Sequence, residues 1–210
     1  MTSQNTDIPT RADAASEKRE KRISLAKNLS FSAAFAALCC VSTMFLHIPQ
    51  PAGGSGYSNL GDIFSLLSGW FLGPLYGAAA AGVGGMLADI LLGSAVYAPA
   101  TFAVKALMSA AGYLIWAALK RAVKSEKFDF AARFVAALAA ESIMVVGYFL
   151  YEGFVLGLGL GAAANILYNV FQGLTGLIGA EVLVAALYPV KSVRRLFPRL
   201  IARRKQKRAD

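Results

Sequence analysis

The sequence predicts an all-α integral membrane protein of six transmembrane helices with both termini cytoplasmic, and three observations carry that prediction. Apolar residues make up 57% of the 210-residue chain and charged residues only 16%, where a soluble domain carries roughly a quarter charged residues. The apolar residues gather into six runs separated by short connectors. All 21 Lys and Arg residues avoid every connector that a six-crossing reading places outside, as positive charge near span ends does when it stays on the cytoplasmic side.

The charges fall in three clusters. Arg11, Lys18, Arg19, Lys21, Arg22 and Lys27 precede or open the first run, and Lys120, Arg121, Lys124, Lys127 and Arg133 surround one connector. Nine more lie between Lys191 and Arg208, and one lysine, Lys105, stands alone inside an apolar stretch. The formal charge of +9 reads as juxtamembrane clusters that meet anionic lipid and set topology, not as a nucleic-acid surface.

Each run is justified in turn. Residues 1–22 are polar and charged and read as a disordered cytoplasmic tail. Residues 23–47 form the first span; the run is longer than a signal-peptide core, sits behind a charged tail and lacks a small-x-small cleavage site. Residues 60–72 and 76–92 flank Gly73-Pro74, and 101–119, 131–151 and 162–188 follow. A span needs about 20 residues, so the second run is short. Parity argues that the second and third runs both cross or both fail to cross, since otherwise the terminal basic clusters would lie on opposite sides. Both crossing is the favoured reading, with a membrane domain over residues 23–190 and a basic cytoplasmic tail over 191–210.

Cys39 and Cys40 are adjacent in one helix, point to different faces and read as core or lipid-facing thiols. His47 is the single histidine, which removes most histidine catalysis and His/Cys metal chemistry; no metal site or cofactor is expected. Nor is an enzyme expected, for no activated nucleophile or metal-ligand motif is visible.

Ionisable groups at membrane depth cost a few kcal/mol each and point to function. Asp62 opens the second run, Asp89 closes the third, Lys105 opens the fourth and Glu152 follows the fifth. Asn165, Asn169 and Gln172 share one face of the last helix. These groups converge at one depth on the external side, as a solute pocket opening outward requires, and Asp89 is expected to pair with Lys105. Glu141 and Glu181 stand deeper. They could form a proton path in a self-sufficient coupled carrier, or be satisfied by Ser142, Thr175 or a partner protein; local satisfaction is the favoured reading.

Residues 47–59 form an uncharged Gly- and Pro-rich external loop, and 93–99 a shorter counterpart. Tyr57, Asn59 and Tyr97 are placed over the pocket as part of a lid, with Tyr148 lining it. Ala33 and Ala37, at four-residue spacing, form a small-residue pair that suits close helix approach, either inside the protein or at a partner.

These residues resemble a known family. Tyr57-Ser-Asn-Leu-Gly61-Asp62, Gly73-Pro74, Gly82 to Gly85, Leu87-Ala-Asp89, Tyr97-Ala-Pro99-Ala-Thr101, Lys105, Gly147-Tyr-Phe-Leu-Tyr-Glu152 and Asn169-Val-Phe-Gln172-Gly173 follow one another in order. The series is similar to the membrane-embedded S components of energy-coupling factor (ECF) vitamin transporters. The likeness is to the riboflavin-named branch, which includes hydroxymethylpyrimidine- and pyridoxine-type carriers, and it runs from about Ala33 to Ala180. Ala33-x-x-x-Ala37 matches that family's first-helix docking motif. Where some members carry an acidic residue just after the lysine, this chain has Met108 and Ser109.

The resemblance implies a six-helix bundle in a bacterial cell membrane that captures a vitamin or precursor outside. It implies association with a T component and two ATP-binding-cassette ATPases, and delivery of the ligand inward by toppling. The chain lacks a Gly-x-x-x-x-Gly-Lys-Ser/Thr phosphate loop, so ATP hydrolysis is expected only in partners. The pocket's cation, amides and tyrosines suit a small, flat, hydroxylated heteroaromatic, pyridoxine- or hydroxymethylpyrimidine-like ahead of riboflavin.

Overall fold

The computed structural model describes residues 11–49, 57–123 and 128–198. Helix α1 spans Arg11–Phe45, followed by α2 (Gly61–Leu72), α3 (Pro74–Leu91), α4 (Ala98–Val123), α5 (Asp129–Leu150), α6 (Ala163–Leu187) and the short α7 (Lys191–Leu196). A two-stranded hairpin, β1 (His47–Pro49) with β2 (Tyr57–Asn59), interrupts the all-α expectation; it pairs antiparallel with His47 opposite Asn59. The polar segment expected to be a disordered tail is helical from Arg11 onward, and residues 1–10 and 199–210 lie outside the described residues. Part of the basic C-terminal segment is likewise helical, as α7.

Among the described residues, five stretches are long and apolar enough to cross a membrane: Ser16–Phe45, Pro74–Leu91, Ala98–Ala122, Asp129–Val155 and Gly159–Leu187. The protein is therefore an all-α membrane protein with several passes. The sixth, α2, has 12 residues and reaches about 18 Å at 1.5 Å per residue, short of a hydrocarbon core of about 30 Å.

What compensates for that length is burial. Ten of the twelve α2 residues are buried, so α2 is an internal post around which the longer helices pack. Gly73 turns the chain between α2 and α3 at φ 89°, a conformation that glycine adopts without a Cβ penalty. Pro74 then opens α3, where its missing N–H costs nothing. The two helices return face to face so closely that a Cβ on Gly77 would lie 2.6 Å from the Gly69 Cα and from the Ser68 carbonyl oxygen. Gly77→Ala should therefore separate α2 from α3, an overpacking cost of about 1–3 kcal/mol, and read out as a lower Tm of the purified protein in detergent. An unchanged Tm would show that the two helices are not held at this distance.

The bundle is divided end from end. At the end that carries the basic clusters the interior is apolar, with Trp70, Trp116, Ala136 and Val184 at 1% exposure or less. There Phe197, just beyond α7, stacks edge-on against Phe31 and Phe71 with ring centroids 4.8 Å apart in each case. An ionic cluster closes the same end: Arg133 bonds Asp129 and Glu181, and Trp116 Nε1 donates to Asp129 at 3.0 Å. Cys39 and Cys40 are both buried as free thiols. At the opposite end the interior is polar.

Candidate functional site

The polar end is built from helix ends that the topology gathers together: the start of α2, the end of α3, the start of α4, the end of α5 and the start of α6. A small pocket, with a cavity volume of about 20 Å³, lies among them, lined by Thr43, Tyr57, Asn59, Gly85, Asp89, Tyr97, Thr101, Lys105, Tyr148, Glu152 and Asn169. Eight residues expected from the sequence line it directly. The other three, Asp62, Asn165 and Gln172, sit immediately behind, each at 2% exposure or less, and hold the lining in place.

Lys105 is the centre of the arrangement. Its ammonium forms a buried ion pair with Asp62 on α2, not with Asp89 on the preceding helix as the sequence suggested. The lysine stem runs against α3 at Gly85, where a Cβ would lie 3.2 Å from Lys105 Cγ and 2.8 Å from Thr101 Cγ2. A side chain at that position would occupy the path of the lysine. Asp62 is held from its other side by Gln172, whose Nε2 donates to Oδ2 at 2.5 Å. Gln172 Oε1 in turn accepts from the Asn59 backbone N–H at 2.8 Å and its side-chain amide at 3.3 Å. The chain Lys105–Asp62–Gln172–Asn59 thus ties α4, α2, α6 and β2 together. Buried charges at membrane depth persist when paired and hydrogen-bonded in this way.

Two further carboxylates face the pocket with neutral donors only. Tyr57 donates to Asp89 Oδ1 at 2.5 Å, bringing β2 over the end of α3. Burial, and after it the Asp89 charge, pushes the Tyr57 phenol far above its ordinary range, so it remains a donor at neutral pH. Glu152 accepts from Tyr97 at 3.2 Å and from Asn165 Nδ2 at 3.0 Å. The Tyr97 phenol is pushed up likewise, by burial and then by Glu152. Glu152, which the sequence places just after the fifth apolar run, lies on a π-helical turn, Tyr151–Val155, that continues α5. A π turn re-aims side chains relative to an α-helix and is frequent at functional sites; here it turns Glu152 inward at 1% exposure.

Three lining residues are not among the pocket residues that the sequence predicts, although Gly85 and Thr101 fall within the family-like motifs. Gly85 lies one turn before Asp89 on α3, and Thr101, whose hydroxyl bonds Tyr148 at 3.0 Å, lies one turn before Lys105 on α4. Extending each charged residue by four positions along its helix would have found both. Thr43, hydrogen-bonded to Asn59 at 3.4 Å, is an isolated threonine in an apolar run and carries no such signal.

The deeper carboxylates separate. Glu181 belongs to the ionic cluster at the basic end through Arg133 Nε at 3.3 Å, so neither Thr175 nor a shared path with Glu141 accounts for it. Ser142 and Thr175 bond the backbone carbonyls of Leu138 and Gln172, each at 2.8 Å. Glu141 gains nothing from either, and no hydrogen bond reaches its two oxygens. On α1, Ala33 and Ala37 lie on the exposed face, while Ala36 faces α3, where a Cβ on Gly84 would sit 2.4 Å from its carbonyl oxygen.

A polar pocket enclosed at one end of an apolar helical bundle defines a membrane-embedded small-molecule-binding protein. The family model of the ECF-type riboflavin transporter S component matches residues 24–189. The chain belongs to that family, whose members are substrate-binding subunits of vitamin-type transporters and not themselves enzymes. It is also 31% identical over 149 residues, 66% of this chain and 86% of the relative, to a Pyrococcus woesei protein described as an uncharacterized protein in the gap 3′ region.

Proposed function

We propose that this protein captures a small vitamin or vitamin precursor from outside the cell and hands it inward in concert with a T component and two ATP-binding-cassette ATPases. All six apolar helices cross, with α2 sheltered by its neighbours, and both termini lie in the cytoplasm beside the basic clusters. The pocket then opens outward. Its ligand is pyridoxine- or hydroxymethylpyrimidine-like, ahead of riboflavin.

The observation that carries this reading is the charge of the pocket. Three carboxylates, Asp62, Asp89 and Glu152, surround the single cation Lys105, and that cation already belongs to Asp62. Such a site repels an anionic ligand and offers acceptors to one with hydroxyl or amino donors. Tyr57, Tyr97 and Tyr148 supply the apolar faces against which a ring packs.

Calorimetric titration of the purified protein against pyridoxine, hydroxymethylpyrimidine, thiamine and riboflavin tests the assignment. A single-ring compound without permanent charge should bind, and bind more tightly than the other two. Tightest binding by riboflavin would keep the transporter reading and reject the single-ring one. Binding of none of the four, with a sugar, peptide or metal ion bound instead, would reject both.

A further inference from the structure

The side of the bundle between α5 and α6 carries a carboxyl, Glu141, on which the charges of Asp62 and Lys105 act but which makes no hydrogen bond to the residues of the pocket. A groove of about 260 Å³ runs there, and its lining is apolar except for Glu141 and Ser142. Ser142 is engaged with the Leu138 carbonyl, so Glu141 is the one group in the groove with polar capacity to spare. Its side chain is 4% exposed, and neither carboxyl oxygen receives a hydrogen bond. On the α6 side it meets bare helix: a Cβ on Gly173 would lie 3.1 Å from Glu141 Cβ, and one on Gly176 would lie 2.8 Å from Oε1. The carboxyl is thus held at the floor of a narrow apolar slot, at residue 141 of a helix that runs Asp129–Leu150, far from either end. A buried carboxyl without a hydrogen bond is costly in such surroundings, and an occupant of the slot that supplies one would relieve that cost.

The rim decides what the occupant is. Leu138, Val146, Val170 and Leu174 stand out at 49%, 54%, 40% and 49% exposure. Large residues on the surface keep a neighbouring helix backbone away, where helix docking in membranes wants small ones. A linear chain passes between them. We propose that this groove binds a long-chain amphiphile entering from the bilayer, whose single hydroxyl bonds Glu141. A hydroxyl both donates and accepts, so it serves the carboxylate and the carboxylic acid alike. A charged head group would carry a further cost at that depth.

Photolabelling tests this. The purified full chain in lipid nanodiscs is irradiated with a long-chain primary alcohol bearing a mid-chain diazirine, or with the same chain ending in a methyl group, and labelled peptides are mapped by mass spectrometry. The alcohol should label α5 and α6 beside Glu141 at least severalfold more than the methyl-terminated chain. Glu141→Leu should abolish that preference. Val146→Trp, a rim change outside the core, should lower labelling of these helices by both probes. Equal labelling by the two chains in the unmodified protein would overturn the proposal. So would a preference that survives in folded, monodisperse Glu141→Leu, or labelling of these helices unaltered in Val146→Trp should Glu141→Leu fail to fold.

Discussion

Lys105→Met is expected to abolish ligand binding and to lower the stability of the protein. The methionine nearly fills the volume of the lysine stem, so the loss is electrostatic. Asp62 is fully buried and would keep only the Gln172 amide as a donor. Removing one partner of a buried ion pair typically costs about 3–5 kcal/mol, because the remaining charge stays uncompensated. The damage should spread along the chain of bonds, through Gln172 to Asn59 and the hairpin that roofs the pocket. Calorimetry with whichever compound binds in the titration above, together with Tm in detergent, reads both effects. A second variant separates them. Lys105→Met combined with Asp62→Asn removes both charges and should recover much of the stability while binding stays lost. Full-strength binding by Lys105→Met would show that the lysine is structural only.

Ala37→Leu is expected to leave ligand binding intact while uptake into cells and co-purification with a T component are lost. Ala33 and Ala37 lie one turn apart on the exposed face of α1, away from the Ala36–Gly84 contact that joins α1 to α3. A leucine there points away from the bundle and leaves its packing unchanged. At a docking face, however, the larger side chain would hold two helices apart where close backbone approach supplies the attraction. Uptake at the unmodified level with Ala37→Leu would place the docking surface elsewhere. Collapse of ligand binding would mean that the residue packs internally after all.

Most of the pocket was legible because membrane depth makes polar residues conspicuous. In an apolar run, each of Asp62, Asp89, Lys105, Asn165, Asn169 and Gln172 needs a reason to be there, and the structure brings all of them to one end of the bundle. What was not legible is who bonds whom. Asp89 and Lys105 sit on consecutive helices, and adjacency in sequence suggested a pair. Instead Tyr57, 32 residues before Asp89, supplies its donor, and Asp62, 43 residues before Lys105, takes the lysine. Glu181 shows the same limit: its partner Arg133 was counted among the topology-setting charges, yet its side chain is buried in the ionic cluster.

The sequence by itself determined the class of protein, the number of apolar helices and the end at which the polar groups collect. Hydropathy and the placement of positive charge are properties of composition along the chain, and they need no contacts to be read. Tertiary structure alone decided that α2 is a short buried post, that α1 extends as a helix into the polar segment, and that a π turn aims Glu152 inward. It also decided that bare glycines set the spacing: Gly77 between α2 and α3, Gly85 beside the lysine stem, and Gly176 where a Cβ would lie 2.6 Å from Asp62 Cβ. The reason is that ion pairs and close approaches depend on how far one helix stands from another, a distance that packing sets and no periodicity records.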